Sequence, residues 1–255
     1  MKLARFPLVL TGIVLLFLYL PIVVLVINSF NESRFGGTWA GFSLKWYERL
    51  LHERTVWNAF KNSLIVGISA TAISTPLGAL AAFSLWRYRT ALQRVHWGLM
   101  YAPLMIPDVL MGVSLLIFFV ACHVPLGLTT VIIAHITFCV SYVAMLARAR
   151  LQNFDFALVE AALDLGASRF DTFRRVLLPF LAPALLSGAL LAFTLSLDDF
   201  VVTFFVAGLG ITTLPLYVYS MIKFGSPPLI NALSTLLLAA TFIIVGVTHH
   251  ITEKK

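Results

Sequence analysis

Three carboxylates stand where an apolar chain has least use for them. Asp108 interrupts the stretch between Trp97 and Ala121, and the adjacent Asp198 and Asp199 interrupt the one between Ala184 and Val206. An ionised Asp at mid-membrane costs about 2.5–3.5 kcal/mol on insertion scales, so it faces a wet cavity or a partner. Carboxylates spaced along such a cavity offer weak, exchangeable stations to a flexible chain with two or more ammonium groups, with no single deep trap. Ser196 and Tyr217 add hydrogen-bonding groups, and Trp46, beside Tyr47, offers an aromatic face to a cation at the outer mouth. The competing reading makes the acids structural, either bonded between helices or protonated and buried. Neighbours on a continuous helix point about 100° apart, so one of Asp198 and Asp199 faces a pathway and the other a neighbouring helix.

A second constellation lies between Asn153 and Pro183, the most polar piece of the chain. Asp155 is placed to cap a short helix through Glu160, Ala161 and Ala162, and Gly166 falls where a left-handed stop is expected. Ser168, followed three residues later by Asp171, reads as the capped start of a second helix. That helix carries Arg169, Arg174 and Arg175 and is expected to end near Pro179. Two alanines permit a close-packed partner, Glu160 accepts a charged hydrogen bond, and Gly166 sets the angle to the next helix.

The elements that must position these residues are membrane helices. Sixty per cent of the residues are hydrophobic and 11% are charged, which excludes a soluble domain of this length. Charge-free or nearly charge-free runs at about 6–30, 62–86, 97–121, 128–148, 184–206 and 229–250 are each long enough to cross a hydrocarbon layer of roughly 30 Å. The expected fold is therefore all-α and polytopic, with six transmembrane helices in a single domain covering 1–255 and the polar stretch 153–183 as a loop between spans four and five. The first run is too long for a signal-peptide core and lacks a cleavage site, so it is retained. Span three is interrupted by Pro103 and Pro107, which a membrane tolerates only where neighbours or water satisfy the freed backbone. Trp46, Leu50 and Trp57 recur at near-helical spacing and mark either an interfacial helix or one packed on its own spans.

The charge distribution sets the orientation. A cytoplasmic N-terminus puts Lys2, Arg5, Arg87, Arg89, Arg94, Arg148, Arg150, Arg169, Arg174, Arg175, Lys254 and Lys255 inside, and leaves Arg34, Lys45, Arg49, Arg54, Lys61 and Lys223 outside. That bias favours cytoplasmic termini and a cytoplasmic 153–183 loop. The net charge of +7 reports topology and removes nucleic acid as a partner. Membrane lipid takes its place.

Glu160-Ala161-Ala162, then Gly166, then Val176, Leu178 and Pro179 resemble the EAA motif of permease subunits in binding-protein-dependent ABC importers, with Val176 where that family usually has Ile. The segments SFNESRFGGTWAGFSLKWYERLL, HITFCVSYV, FTLSLDDFVVTFFVAG and TLPLYVYSMIKFG are similar to the putrescine/spermidine branch of that family, and this resemblance covers almost the whole chain. It implies an inner-membrane translocation path for polyamines and a coupling helix at 153–183. The partners it implies are a second permease subunit in a heterodimer, two ATPase subunits and an extracytoplasmic solute-binding protein. No lysine follows a glycine, so a Walker A loop is absent and the chain is not an enzyme with its own nucleotide site. ATP and Mg belong to the partner ATPases, and this chain is expected to bind no cofactor. A permease for another solute shares much of this framework.

Two further classes compete. A secondary transporter would show an inverted repeat, and none is visible. A membrane metalloenzyme would need ligand spacing, yet His96, His123, His135 and the pair His249-His250 show no HxxxH or acid-paired pattern. Cys122 and Cys139 also lack metal-ligand spacing and read as packing residues.

Overall fold

The structure is a computed structural model that describes residues 5–33, 38–88, 91–224 and 227–253. Every regular element is helical: α1 (Arg5–Ser29), α2 (Lys45–His52), α3 (Arg54–Arg87), α4 (Gln93–Met105), α5 (Asp108–Ala121), α6 (Leu128–Leu151), α7 (Ala157–Asp164) and α8 (Arg169–Thr172), then a π-helical turn (Phe173–Leu177), α9 (Leu178–Asp198), α10 (Val201–Val206), α11 (Leu214–Phe224) and α12 (Pro227–Glu253). Of the basic residues that set the expected orientation, Lys2, Arg34, Arg89, Lys254 and Lys255 lie outside the described residues, as do Gly36, Gly37 and Gly225 of the polyamine-like segments.

Among the described residues, four helical stretches are long and apolar enough to cross a membrane: Pro7–Ser29, Arg54–Arg87, Leu128–Leu151 and Arg169–Asp198. The pair α4 and α5 makes a fifth if counted together, although its two halves meet at 111°. The expected sixth run falls in α12, whose apolar part, Pro228–Ile243, is shorter.

The chain divides into two compact units, 1–57 with 217–255 and 58–216. In the first unit, α12 packs against both α1 and α2. Along α1 the apolar side chains from Leu8 to Val24 are exposed on every face, as expected of a helix whose solvent is lipid. Helix α2 buries Trp46 and Leu50, so it packs on its own spans. Trp57 does not continue it: the backbone extends at Glu53, and Trp57 lies in the first turn of the long α3. Asn31 organises the segment before α2. Its side chain donates to Thr38 O at 2.9 Å and accepts from Ala40 N at 2.9 Å, while its carbonyl accepts from the Trp46 indole at 2.9 Å.

Helix α6 is the core of the second unit and packs against α4, α5, α9 and α10. Its buried residues include Val131, Ala134, His135, Cys139, Val143, Ala144 and Ala147. Small residues allow the close approach: a Cβ on Gly78 of α3 would lie 2.7 Å from Val143 Cβ, so only glycine fits there.

Two expected boundaries move. The helix begun at Ser168 does not end near Pro179 but continues through it into α9, to Asp198. Pro179 lacks an N–H and its ring would meet the carbonyl one turn back. The π turn relieves both problems, with Leu178 N bonding back to Phe173 O. Span five correspondingly ends early: the helix stops at Asp198, and residues 201–206 form the separate α10.

Candidate functional site

The three acids all lie at helix breaks. Ile106 is extended (φ −75, ψ 131), the backbone that a residue before proline prefers, and Pro107 follows at φ −56, ψ 136. Asp108 is therefore not mid-helix. It opens α5, where a negative charge complements the helix dipole. The second break falls between α9 and α10, and Asp199 is extended there (φ −66, ψ 120). Asp198 and Asp199 thus do not share the continuous helix assumed from sequence: the first ends α9 and is exposed, while the second turns inward.

Asp199 acts first as a cap. Its carboxylate accepts from Thr203 N at 2.8 Å and Val202 N at 3.2 Å, satisfying backbone donors at the start of α10. Thr203 Oγ1 adds a bond at 2.7 Å. From α6, His135 Nε2 approaches Asp199 Oδ2 to 3.2 Å. His135 is 1% exposed, and its other nitrogen meets Ser196 Oγ at 2.7 Å. The fold thus pairs a histidine with an acid that no sequence spacing had brought together. The pairing joins elements more than 60 residues apart, so no spacing rule reveals it. The signal within reach was local: an Asp three and four residues before Val202 and Thr203 is a helix start.

Asp108, Asp198 and Asp199 line one cleft of about 240 Å³. Phe138 and Tyr142 of α6 form part of its wall, with Pro103, Leu195, Phe200, Val201 and Val202 completing it. Ser196 lies behind this lining, buried, with its hydroxyl on His135. Trp46 and Tyr217 belong to the first unit, and the cleft is lined wholly by the second. The Trp46 ring is buried, and Lys45 Nζ lies 5.0 Å from its centroid. Burial, with Glu53 adding to it and Arg49 opposing, pushes the Tyr217 phenol up from its ordinary range and keeps it a neutral donor. Among the described residues, no group of three or more His, Cys, Asp or Glu side chains is placed to hold a metal ion.

The 153–183 stretch is a built surface. Asp155 Oδ1 accepts from Ala157 N at 2.9 Å to start α7. Gly166, at φ +86, ends it: Ala167 N bonds Ala162 O at 3.0 Å and Gly166 N bonds Leu163 O at 2.9 Å, the paired bonds of a Schellman stop. Ser168 Oγ then accepts from Asp171 N at 3.1 Å and opens α8. Aromatic contacts fasten the stretch below. Phe154 meets Trp86 edge-on at 6.0 Å and Phe180 at 4.9 Å, Arg150 Nε donates to Phe180 O at 3.2 Å, and the Arg87 guanidinium covers Phe156 at 4.5 Å. Outward, Glu160 and Ala161 are exposed together with Leu158, Leu165 and Phe170. Ala162 and Gly166 border a hollow of about 370 Å³ with Asp171 and Arg175. The capped, anchored helices thus display an apolar patch.

This architecture, broken membrane helices around an acidic cleft with a structured loop between two long helices, defines a membrane transport component. Residues 74–252 match the family described as "Binding-protein-dependent transport system inner membrane component", and the chain belongs to that family. It is 41% identical over 242 residues to the spermidine/putrescine transport system permease protein PotC of Haemophilus influenzae, covering 95% of this chain and 94% of that one. It is 43% identical over 235 residues to the putrescine transport system permease protein PotI of Escherichia coli K12, covering 89% and 84%. Its fold matches, at TM-score 0.77 and 16% identity over 98% of this chain and 96% of the other, a chain of a bacterial ABC transporter involved in the import of the acidic polysaccharide alginate. The protein is a multi-pass inner-membrane permease component and not itself an ATPase.

Proposed function

We propose that this chain is the polyamine-conducting permease of an ABC importer that carries spermidine or putrescine past the cleft formed by Asp108, Asp198 and Asp199. The observation that carries the reading is the convergence of acids from two separate helix breaks on one cleft walled partly by aromatic rings. Carboxylates and ring faces together suit a chain of ammonium groups joined by methylenes. Near full-length similarity to permeases named for spermidine and putrescine supports the same cargo. Asp108 and Asp198, both exposed, are the contact acids; Asp199, held by its own turn and by α6, contributes a fixed negative charge. Ser196 supports the path from behind it.

The remaining assignments complete the machine. The chain forms one transmembrane domain of six spans, built on α1, α3, the bent pair α4–α5, α6, α9 and α12, with both termini in the cytoplasm. It pairs with a second, similar permease, and the pair takes cargo from an extracytoplasmic binding protein. Glu160, Ala161, Ala162 and Gly166 form the surface that docks on one of two cytoplasmic ATPase subunits, which hold ATP and Mg. The test is spermidine and putrescine uptake by Asp108→Asn and Asp198→Asn variants present at normal membrane levels. A raised KM in both is expected, and unchanged uptake in both removes the cleft from the cargo's path.

A further inference from the structure

Among the described residues of the second unit, the buried His135 is a strongly polar core group that the reading above leaves without a task. His135 sits inside α6 among Val131, Ala134 and Phe138, a costly place for an imidazole unless both nitrogens are satisfied. Both are. Thr203 Oγ1 spends its hydrogen on Asp199 Oδ2 at 2.7 Å, so toward His135 Nε2, 2.9 Å away, it presents a lone pair. Asp199 Oδ2, 3.2 Å from the same nitrogen, is also an acceptor. Nε2 must therefore carry a proton and donate to both, and Nδ1 meets Ser196 Oγ at 2.7 Å. The remaining bonds recorded for the Asp199 carboxylate come from its own turn, from Val202 and Thr203. His135 supplies the bond that ties it to another helix.

We propose that His135 is a positioning residue for cation transport, clamping the Asp199 carboxylate and the α9–α10 break against α6 so that the acidic cleft keeps its shape. The same ring grips both sides of the break: Ser196 lies three residues before Asp199 and Thr203 four after it. Phe138, one turn along α6 from His135, lines the cleft itself, so a shift of the break relative to α6 alters the cleft directly. Without the clamp Asp199 still caps α10, but the break between α9 and α10 is left to the packing of those helices on α6, and the spacing between Asp198, at the end of α9, and Asp108, on α5, is less tightly set. The proposal rests on the cleft being the cargo's path.

The test uses the whole importer reconstituted in proteoliposomes, with initial rates of spermidine uptake at matched amounts of complex. His135→Ala is expected to raise KM about tenfold, the scale of one lost hydrogen bond to a charged group. His135→Gln places an amide nitrogen near the position of Nε2 and is expected to recover most of that loss. His135→Asn, one methylene shorter, reaches only the Nδ1 position and is expected to behave like the alanine variant. Adding His135→Ala to Asp199→Asn should raise KM little further, whereas adding it to Asp108→Asn should multiply the two effects. Wild-type KM in His135→Ala, alongside a raised KM in Asp198→Asn, overturns the clamp and leaves the path standing. Should Asp108→Asn and Asp198→Asn both keep wild-type KM, the path falls, and heat decides the clamp. In that case non-additive thermal shifts for His135→Ala with Asp199→Asn support it, and additive shifts overturn it.

Discussion

A Cβ added to Gly78 would stand 2.7 Å from Val143 Cβ and 2.9 Å from Val140 O, so α3 and α6 touch backbone to side chain at this level. Gly78→Ala is expected to destabilise the protein by about 1–3 kcal/mol, the usual cost of overpacking a filled interior. Thermal unfolding in detergent reads it. Val143→Ala keeps the Cβ that stands nearest and should not rescue the double variant, and Gly98→Ala, with open space around it, should leave the midpoint unchanged or raised.

The stop at Gly166 gives a prediction for coupling. Gly166→Pro removes the N–H that bonds Leu163 O and forces φ from +86 to about −65°, while Glu160→Lys reverses an exposed charge on the surface proposed to dock on the ATPase. Both variants are expected to assemble with the ATPase, hydrolyse ATP and transport about tenfold less. Full transport by both, in complexes assembled at wild-type levels, would reassign the stretch. Gly166→Ala isolates the conformational part, about 1–2 kcal/mol for an alanine held left-handed.

Arg148 is bound by shape as well as charge. Its guanidinium lies 3.7 Å from the Trp97 ring centroid and donates to Tyr101 Oη at 2.6 Å, which ties α6 to α4. A lysine keeps the charge but loses the flat face and the fork. Arg148→Lys is therefore expected to lower stability by about 1 kcal/mol, and Tyr101→Phe in that background should add little. Equal unfolding midpoints for wild type and Arg148→Lys would show that charge alone suffices.

Trp46 separates a cargo contact from a structural role. Trp46→Phe keeps an aromatic face but leaves Asn31 O without its indole donor. A loss of about 1 kcal/mol in stability with KM unchanged is expected. If KM rises while the unfolding midpoint holds, the ring touches cargo.

Local chemistry was legible in the sequence. Asp155, Gly166 and Ser168 act through atoms within five residues, and each forms the cap or stop expected of it. The break at Pro107 was legible for the same reason, although not its 111° bend, which depends on what α4 and α5 pack against. Pro179 misled because a proline in isolation reads as a stop, whereas the widened turn at Phe173–Leu177 lets the helix pass. His135 was out of reach. Its partners come from two other elements, and an imidazole in an apolar run looks the same whether it meets a carboxylate or nothing.

That widened turn also fixes a phase. An α-helix advances about 100° per residue, and a π turn holds one more residue than the regular helix it replaces. The faces of α9 that bury Leu181, Gly188 and Ala192 are therefore rotated by about one residue's step, relative to the capped start at Ser168, from where an unbroken helix would put them. Deleting one residue from Phe173–Leu177 would restore a regular turn and leave the two ends in phase, whereas straightening the helix at constant length would turn one end against the other by about 100°. The loop and the membrane segment are geared through a single inserted residue, and removing the widened turn without removing a residue is a change of angle before it is a change of chemistry.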